Sequence, residues 1–163
     1  YHEARHAEQW HQMARIQAGT GKSAKTIATE MAIPKHVAED AAADPLSGES
    51  KEATEGKAWL ESVYGANAAH RNTVLTTLAA QGVELETKSA AARQAQHELQ
   101  ALDQDPQATA EAKAAATTAC TTAEAEYETA LTAFQATYAQ YRALPEEQDA
   151  WATGGAVQAA YMK

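Results

Sequence analysis

The sequence predicts an all-α protein: an elongated helical bundle built around one long antiparallel helical hairpin, with shorter N- and C-terminal helices. Of 163 residues, 42 are alanine and 17 are glutamate, two of the better helix formers. Apolar residues recur at helical spacing along residues 50–103 and again along 106–143. No segment shows the polar–apolar alternation that is typical of a strand. The length suits a single helical-bundle domain over residues 1–163.

The two predicted arms of the hairpin meet at a stop-and-restart signal. The first arm, 50–103, opens with Ser50 as a cap, and part of its apolar seam repeats every seven residues. That line consists of Tyr64, Arg71, Leu78, Leu85, Ala92 and Leu99. Asp105 is predicted to cap the return helix 106–143, with Pro106 in its first turn. Because the connection is so short, the two arms must pack antiparallel.

Shorter helices are predicted on both sides of the hairpin. On the N-terminal side they cover residues 1–18, 23–33 and 35–43. Gly19 and Gly21 are expected to interrupt the first of these helices, as a kink or a break, and Pro34 to begin the third. On the C-terminal side, a short helix holds Trp151, and the Gly154–Gly155 pair is expected to break it.

The charge pattern excludes a nucleic-acid partner. The formal net charge is −9, and the 13 lysines and arginines are scattered and form no basic stripe. No apolar run approaches the roughly 18 residues of a membrane span, so no direct transmembrane segment is expected. The single cysteine allows no internal disulfide.

The string His2-Glu3-Ala4-Arg5-His6 matches the zinc-hydrolase pattern H-E-x-x-H. On a helix His2 and His6 share a face, and Glu3 would be the general base that activates a zinc-bound water. A catalytic zinc site needs a third protein ligand, and Gln9 and Gln12 stand where a longer motif has Gly and His. We therefore interpret the string as a polar first turn, with adventitious metal binding by His2 and His6 as the main alternative, and predict no catalytic residue, cofactor or metal ligand.

The segment Gly19-Thr20-Gly21-Lys22-Ser23 resembles the end of a phosphate-binding loop. That pattern needs a glycine where Ile16 stands, and it should follow a strand rather than a helix. We interpret this segment as a kink between helical segments.

Cys120 lies on the seam of the return helix and is interpreted as a small buried hydrophobe. A nucleophilic cysteine would need a nearby histidine. With the turn at residues 104–105, His97 is expected opposite residue 112, two helical turns from Cys120. A Cys–His dyad is therefore not predicted.

Two further groups of residues leave alternatives open. Threonines that flank Cys120 form either a solvated face or a set of O-glycosylation sites; they are Thr117, Thr118, Thr121 and Thr122. Aromatic residues at helical spacing form either core or a ligand groove, with core favoured; they are Trp59, Tyr64, Tyr127, Phe134, Tyr138 and Tyr141.

The predicted architecture and composition resemble those of trypanosome surface-coat proteins, nearest the glutamic acid/alanine-rich protein of insect-stage parasites. The resemblance lies in the hairpin over residues 50–143, its tip at 103–106 and the alanine- and threonine-rich run 108–125. It implies a lipid-anchored, glycosylated coat protein related in shape to variant surface glycoproteins, with no enzymatic activity. The sequence departs from those glycoproteins in its single cysteine, its lack of an N-glycosylation sequon and its lack of a visible C-terminal anchor signal.

The function predicted from the sequence is therefore that of a structural surface-coat protein, a rod-like acidic layer at a parasite cell surface. Its partners would be neighbouring copies in the layer or a host or vector protein, and its lipid anchor would depend on a C-terminal signal that is removed. One alternative is a helical receptor or adaptor module. Another is a zinc-dependent hydrolase that uses His2, Glu3 and His6.

Overall fold

The computed structural model describes residues 1–162, and within that range it contains seven α-helices and no strand. The helices are α1 (His2–Gly19), α2 (Ala24–Met31), α3 (Lys35–Ala43), α4 (Lys51–Val63), α5 (Ala68–Gln104), α6 (Ala110–Arg142) and α7 (Pro145–Tyr161). The predicted all-α class is confirmed. None of the helices in the described range is long and apolar enough to cross a membrane.

The chain forms two compact units. One, the N/C unit, combines Tyr1–Asn72 with Arg142–Lys163, so it is built from both ends of the sequence. The other, the hairpin unit, is the continuous segment Thr73–Tyr141. That residues 1–163 form a single domain stays a prediction.

The core of the N/C unit lies around α1, which packs against α2, α3, α4 and α7. Its centre is a cluster of seven buried residues, three of which are alanines. The cluster consists of Met13, Ala14, Ile27, Met31, Ala38, Ala41 and Trp59. Small side chains let the helices approach closely, and the methionines and Trp59 fill the space that remains.

The connection between α3 and α4 lies close against the end of α1. The backbone N–H of Leu46 donates to the carbonyl of Arg15 at 2.9 Å, and the Arg15 guanidinium contacts Asp44 at 2.6 Å. Gly19 faces the carbonyl of Leu46 so closely that a side chain at position 19 would collide with it. As predicted, Ser50 caps α4, since its hydroxyl accepts from the backbone N–H of Ala53 at 3.1 Å.

The predicted first arm, 50–103, is divided into α4 and α5 rather than forming one helix. A four-residue break separates the two helices, and contacts that the sequence pattern does not reveal hold it in place. The Tyr64 hydroxyl donates to the carbonyl of Met31 at 2.9 Å. The Glu61 carboxylate accepts from the backbone N–H of Ala66 at 3.0 Å. The seven-residue line therefore crosses the boundary between two helices.

In the hairpin unit α5 and α6 run antiparallel, as predicted. Lys88 contacts Glu126 at 2.7 Å, and Gln96 donates to Glu124 at 2.8 Å. From the first of these contacts to the second, the residue number rises in α5 and falls in α6, as it must between antiparallel helices. Its buried residues are few and mostly small; they are Val74, Ala92, Cys120, Ala130 and Thr137.

The return helix begins after Thr109 rather than at Pro106. The Asp105 carboxylate accepts from the backbone N–H of Gln107 at 2.8 Å, which holds the residues around Pro106 in a turn. Thr109 is the cap of α6, because its hydroxyl accepts from the backbone N–H of Ala112 at 3.2 Å.

The last helix, α7, runs without interruption through the Gly154–Gly155 pair, so the predicted break there is wrong. Glycine costs a helix about 1 kcal/mol relative to alanine but removes none of its hydrogen bonds. Pro145 in the first turn and packing against α1 and α4 fix the start of α7.

Candidate metal centre

The candidate site lies where the first turn of α1 meets the first turn of α7. His2 and His6 are one helical turn apart, so they share a face, and their Nε2 atoms lie 3.1 Å apart. Glu147 approaches both imidazoles from α7. Its Oε2 lies 3.4 Å from Nε2 of His2, and its Oε1 lies 3.4 Å from Nε2 of His6. Ligand atoms from the three residues all lie within 4.8 Å of one another.

The separations in the cluster can be compared with those of a zinc site. Zn–N bonds of about 2.0–2.1 Å at the tetrahedral angle put neighbouring ligand atoms about 3.3–3.4 Å apart. The two imidazole Nε2 atoms lie 3.1 Å apart, and each of them lies 3.4 Å from a different oxygen of Glu147. Tetrahedral coordination by both imidazoles and a single oxygen of Glu147 therefore requires the side chains to adjust from these positions.

The Glu147 carboxylate is the most deeply buried of the three groups, with 6% of its side chain exposed. Within residues 1–162, nothing donates a hydrogen bond to its Oε2. A buried carboxylate without hydrogen bonds is costly unless a cation compensates it. Two kinds of cation suit this position: a metal ion held by neutral imidazoles, or a protonated imidazole of His2 or His6.

A buried amide supports the ligand set. Gln9 lies one turn beyond His6 on α1, and its Oε1 lies 2.8 Å from Nδ1 of His6. Its Nε2 donates to the Glu146 carbonyl at 2.8 Å and to the Asp149 carboxylate at 2.7 Å. Contacts of this type commonly fix the orientation of metal-binding histidines.

Asp149 links the amide to a cation. Arg5 donates to both carboxylate oxygens of Asp149, at 2.7 and 3.2 Å. Burial raises the pKa of Asp149, but the hydrogen bonds from Arg5 and Gln9 outweigh it and hold that pKa below its usual value. Asp149 is therefore an anion that accepts hydrogen bonds, and α1 and α7 are joined by ionic contacts beside the cluster.

An aromatic side chain closes one side of the cluster. The Trp151 ring lies 4.6 Å from the His2 ring, centroid to centroid, and the Arg142 guanidinium lies 4.4 Å from the Trp151 centroid. Side-chain exposures of 22% for His2 and 18% for His6 leave a path for water to the imidazoles. The site is therefore open to solvent at the histidines and closed at Glu147.

The H-E-x-x-H string contains two of the three residues in this cluster. Another residue stands where the longer motif has its third histidine, and in the structure the Glu147 carboxylate reaches His2 and His6 from α7. That the chain has no metal ligand stays a prediction. Glu3, the expected general base, is exposed and is not a member of the cluster. Gln9, which stands where the longer zinc motif has a glycine, contacts His6.

The other motifs and residue groups named in the sequence analysis make contacts that are common within helical proteins. Gly19–Ser23 connects α1 to α2, and the Ser23 hydroxyl accepts from the backbone N–H of Thr26 at 3.2 Å as the cap of α2. This is a helix–helix connection, as interpreted from the sequence. Trp59 belongs to the buried core of the N/C unit. The threonine hydroxyls near Cys120 donate to carbonyls one turn earlier, as on a solvated face.

Cys120 is buried, as predicted, but its register differs from the prediction. Cys120 lines a shallow cavity of about 390 Å³ together with Leu99 and Gln100. The register is shifted because the turn between α5 and α6 extends to residue 109. Burial raises the pKa of the Cys120 thiol, and its hydrogen bond to Glu124 raises it further. A raised pKa disfavours the thiolate, which is the nucleophilic form of cysteine.

Comparison with protein-family models, curated proteins and solved structures found no match. The function is therefore argued from the geometry of the site.

Proposed function

We propose that the protein binds a divalent transition-metal ion, with Zn²⁺ as the first candidate, through His2, His6 and Glu147. The observation that carries the proposal is the approach of the buried Glu147 carboxylate to both imidazoles at 3.4 Å. Two imidazole nitrogens and one carboxylate oxygen form a ligand set that zinc accepts. Water would take the fourth position, on the side where the histidines meet solvent.

A structural role for the ion suits the surrounding residues best. The three ligands belong to helices from opposite ends of the sequence, so a bound ion would join α1 to α7 directly. A metal that binds only the folded chain adds about 2.7 kcal/mol of stability at a free concentration one hundred times its dissociation constant. The proposal is therefore a non-enzymatic metal clamp, and the exposed Glu3 has no part in it.

Calorimetric titration with ZnCl₂ tests this proposal, on protein that carries no polyhistidine tag. We expect one zinc ion per chain. His6→Ala and Glu147→Gln should each abolish saturable binding, since two ligands remain. The matched control is His36→Ala, which removes an exposed histidine from α3 and should leave binding unchanged. If the wild-type chain binds no zinc at neutral pH, the proposal is refuted.

A second candidate function, the rod-like coat protein, is favoured by the hairpin unit. Most of this unit is formed by α5 and α6. These helices have 37 and 33 residues, so they are about 55 and 50 Å long at 1.5 Å per residue. Long, thin, acidic helices suit a dense layer in which neighbours repel one another. Labelling of intact cells with an antibody against this chain tests the idea. A signal that appears only after permeabilisation would refute it. A pull-down from host serum tests the receptor alternative, which specific retention of one serum protein would favour.

A further inference from the structure

The amide of Gln9 has a fixed orientation because of what its nitrogen contacts. Gln9 is fully buried, and its Nε2 lies 2.8 Å from the Glu146 carbonyl and 2.7 Å from Oδ2 of Asp149. Both of these partners are acceptors, since the Asp149 carboxylate accepts from Arg5 at both of its oxygens. An amide nitrogen has two hydrogens, so both are used. Turning the amide over would place its oxygen against two acceptors.

This orientation decides which nitrogen of His6 carries the proton. The Gln9 oxygen can only accept, and it lies 2.8 Å from Nδ1 of His6. Neutral imidazole has one N–H and one lone pair, so Nδ1 must be the donor and Nε2 must carry the lone pair. Nε2 is the atom that faces His2 and Glu147. Free histidine has no such constraint on its tautomer.

The same amide holds the backbone on the opposite side of the site. Its bond to the Glu146 carbonyl fixes the peptide that leads directly into Glu147. One side chain on α1 therefore touches one ligand and the residue before another. Most of the hydrogen-bonding capacity of Gln9 is directed at these two positions.

We infer that Gln9 is the positioning residue of the metal centre. It presets His6 as the Nδ1–H tautomer, with its Nε2 lone pair directed at the ion position, and it holds the first turn of α7 so that Glu147 reaches the same point. The inference rests on the proposed zinc site for its purpose. The tautomer, however, belongs to the metal-free chain and can be measured without zinc.

The first measurement is ¹⁵N–¹H correlation spectroscopy of the histidine rings in metal-free wild-type protein, at alkaline pH where free imidazole is neutral. Chemical shifts of the ring nitrogens distinguish the two tautomers. We expect His6 as Nδ1–H. An Nε2–H signal for His6 would overturn the inference whether or not the protein binds zinc.

The second measurement compares zinc titrations of Gln9→Met and Gln12→Met. Gln12 is a matched control because it lies on the same helix and donates to a carbonyl on another helix, that of Glu52, at 2.6 Å. Removal of a group that orients a metal ligand typically costs 10–100-fold in affinity. We expect that loss in Gln9→Met, together with loss of the Nδ1–H preference of His6, and wild-type values in Gln12→Met.

The outcomes separate the two proposals. If Gln9→Met binds zinc as tightly as the wild type, or if both variants lose affinity equally, Gln9 is not a positioning residue. If the wild-type chain shows the Nδ1–H tautomer and binds no zinc, the proposed metal centre fails while the imidazole orientation stands. Circular dichroism of each variant establishes that it is folded, and the wild-type tautomer needs no variant at all.

Discussion

The Nε–H of Arg71 on α5 donates a hydrogen bond to Oε1 of Glu146 at 2.7 Å, and Glu146 is completely buried. The neighbouring Glu147 is also buried but meets two imidazoles instead of a guanidinium. Two adjacent carboxylates at the start of α7 therefore have different partners. An arginine already compensates the first charge, whereas the second leaves a position that a metal ion can take.

Arg71→Met should destabilise the N/C unit by about 3 kcal/mol, because it leaves the Glu146 charge buried without its cation. Urea denaturation followed by circular dichroism measures the loss. Arg93→Met, which removes an exposed arginine from the same helix, is the control and should change stability little. The double variant Arg71→Met/Glu146→Met should recover much of the loss. Equal midpoints for Arg71→Met and Arg93→Met would show that the pair contributes nothing.

Zinc should change the fluorescence of Trp151. The Trp151 ring lies 4.6 Å from the His2 ring, so coordination of His2 alters the environment of the indole. We expect a saturable emission change in the wild type and its loss in Trp151→Phe, which should still bind zinc calorimetrically. Trp59→Phe replaces a tryptophan in the core of the N/C unit and should keep the signal. Because Trp10 lies 6.3 Å from the His6 ring, a small residual signal is expected in Trp151→Phe, and an undiminished one would place the ion elsewhere.

Leu78→Asp should destabilise the hairpin unit by about 2 kcal/mol, because it puts a charge at a half-buried seam position. The matched control is Val83→Asp on the same helix, where 67% of the side chain is exposed. It should cost only a few tenths of a kcal/mol. Thermal melts compare the two. Similar melting temperatures would mean that the seam of α5 is assigned to the wrong face.

Two glycine-to-alanine substitutions should have opposite signs. Gly154→Ala should stabilise α7 by about 1 kcal/mol, because the new Cβ meets open space and alanine is the better helix former. Gly19→Ala should destabilise the N/C unit, because its Cβ would collide with the backbone carbonyl of Leu46. Denaturation midpoints measured side by side decide the matter. A destabilised Gly154→Ala would indicate that another molecule or segment covers that face.

The helical hairpin could be predicted from the sequence because its seam and its turn are local features. Apolar spacing located both arms, and Ser50 is the cap that was expected. The break between α4 and α5 could not be found in this way. It depends on the Tyr64 hydroxyl reaching the carbonyl of Met31, a contact between residues far apart in sequence. The start of α6 was misplaced because Asp105 forms a turn with Gln107 instead of capping the helix.

Only part of the candidate site could be predicted from the sequence, because only some of its contacts are local. His2 and His6 are four residues apart, so helical geometry alone puts them on one face. Glu147 and Asp149 reach the site only because α7 packs on α1, and no local spacing encodes that contact. Gln9 does not match the glycine of the longer zinc motif. The feature of the sequence that indicates its contact with His6 is its position three residues after His6 on the same helix.

The division of the N/C unit between the two ends of the chain determines the order of events during synthesis. The hairpin unit is continuous, so it can close while translation is still under way. Helix α1 precedes the hairpin unit and α7 in the chain, so its polar face meets Glu147 and Asp149 only after α7 has been made. Until then α1 can pack against α2, α3 and α4, but His2 and His6 lack their contact with Glu147. The proposed metal centre can therefore form only after α7 has been translated, and a product that stops before α7 would lack it.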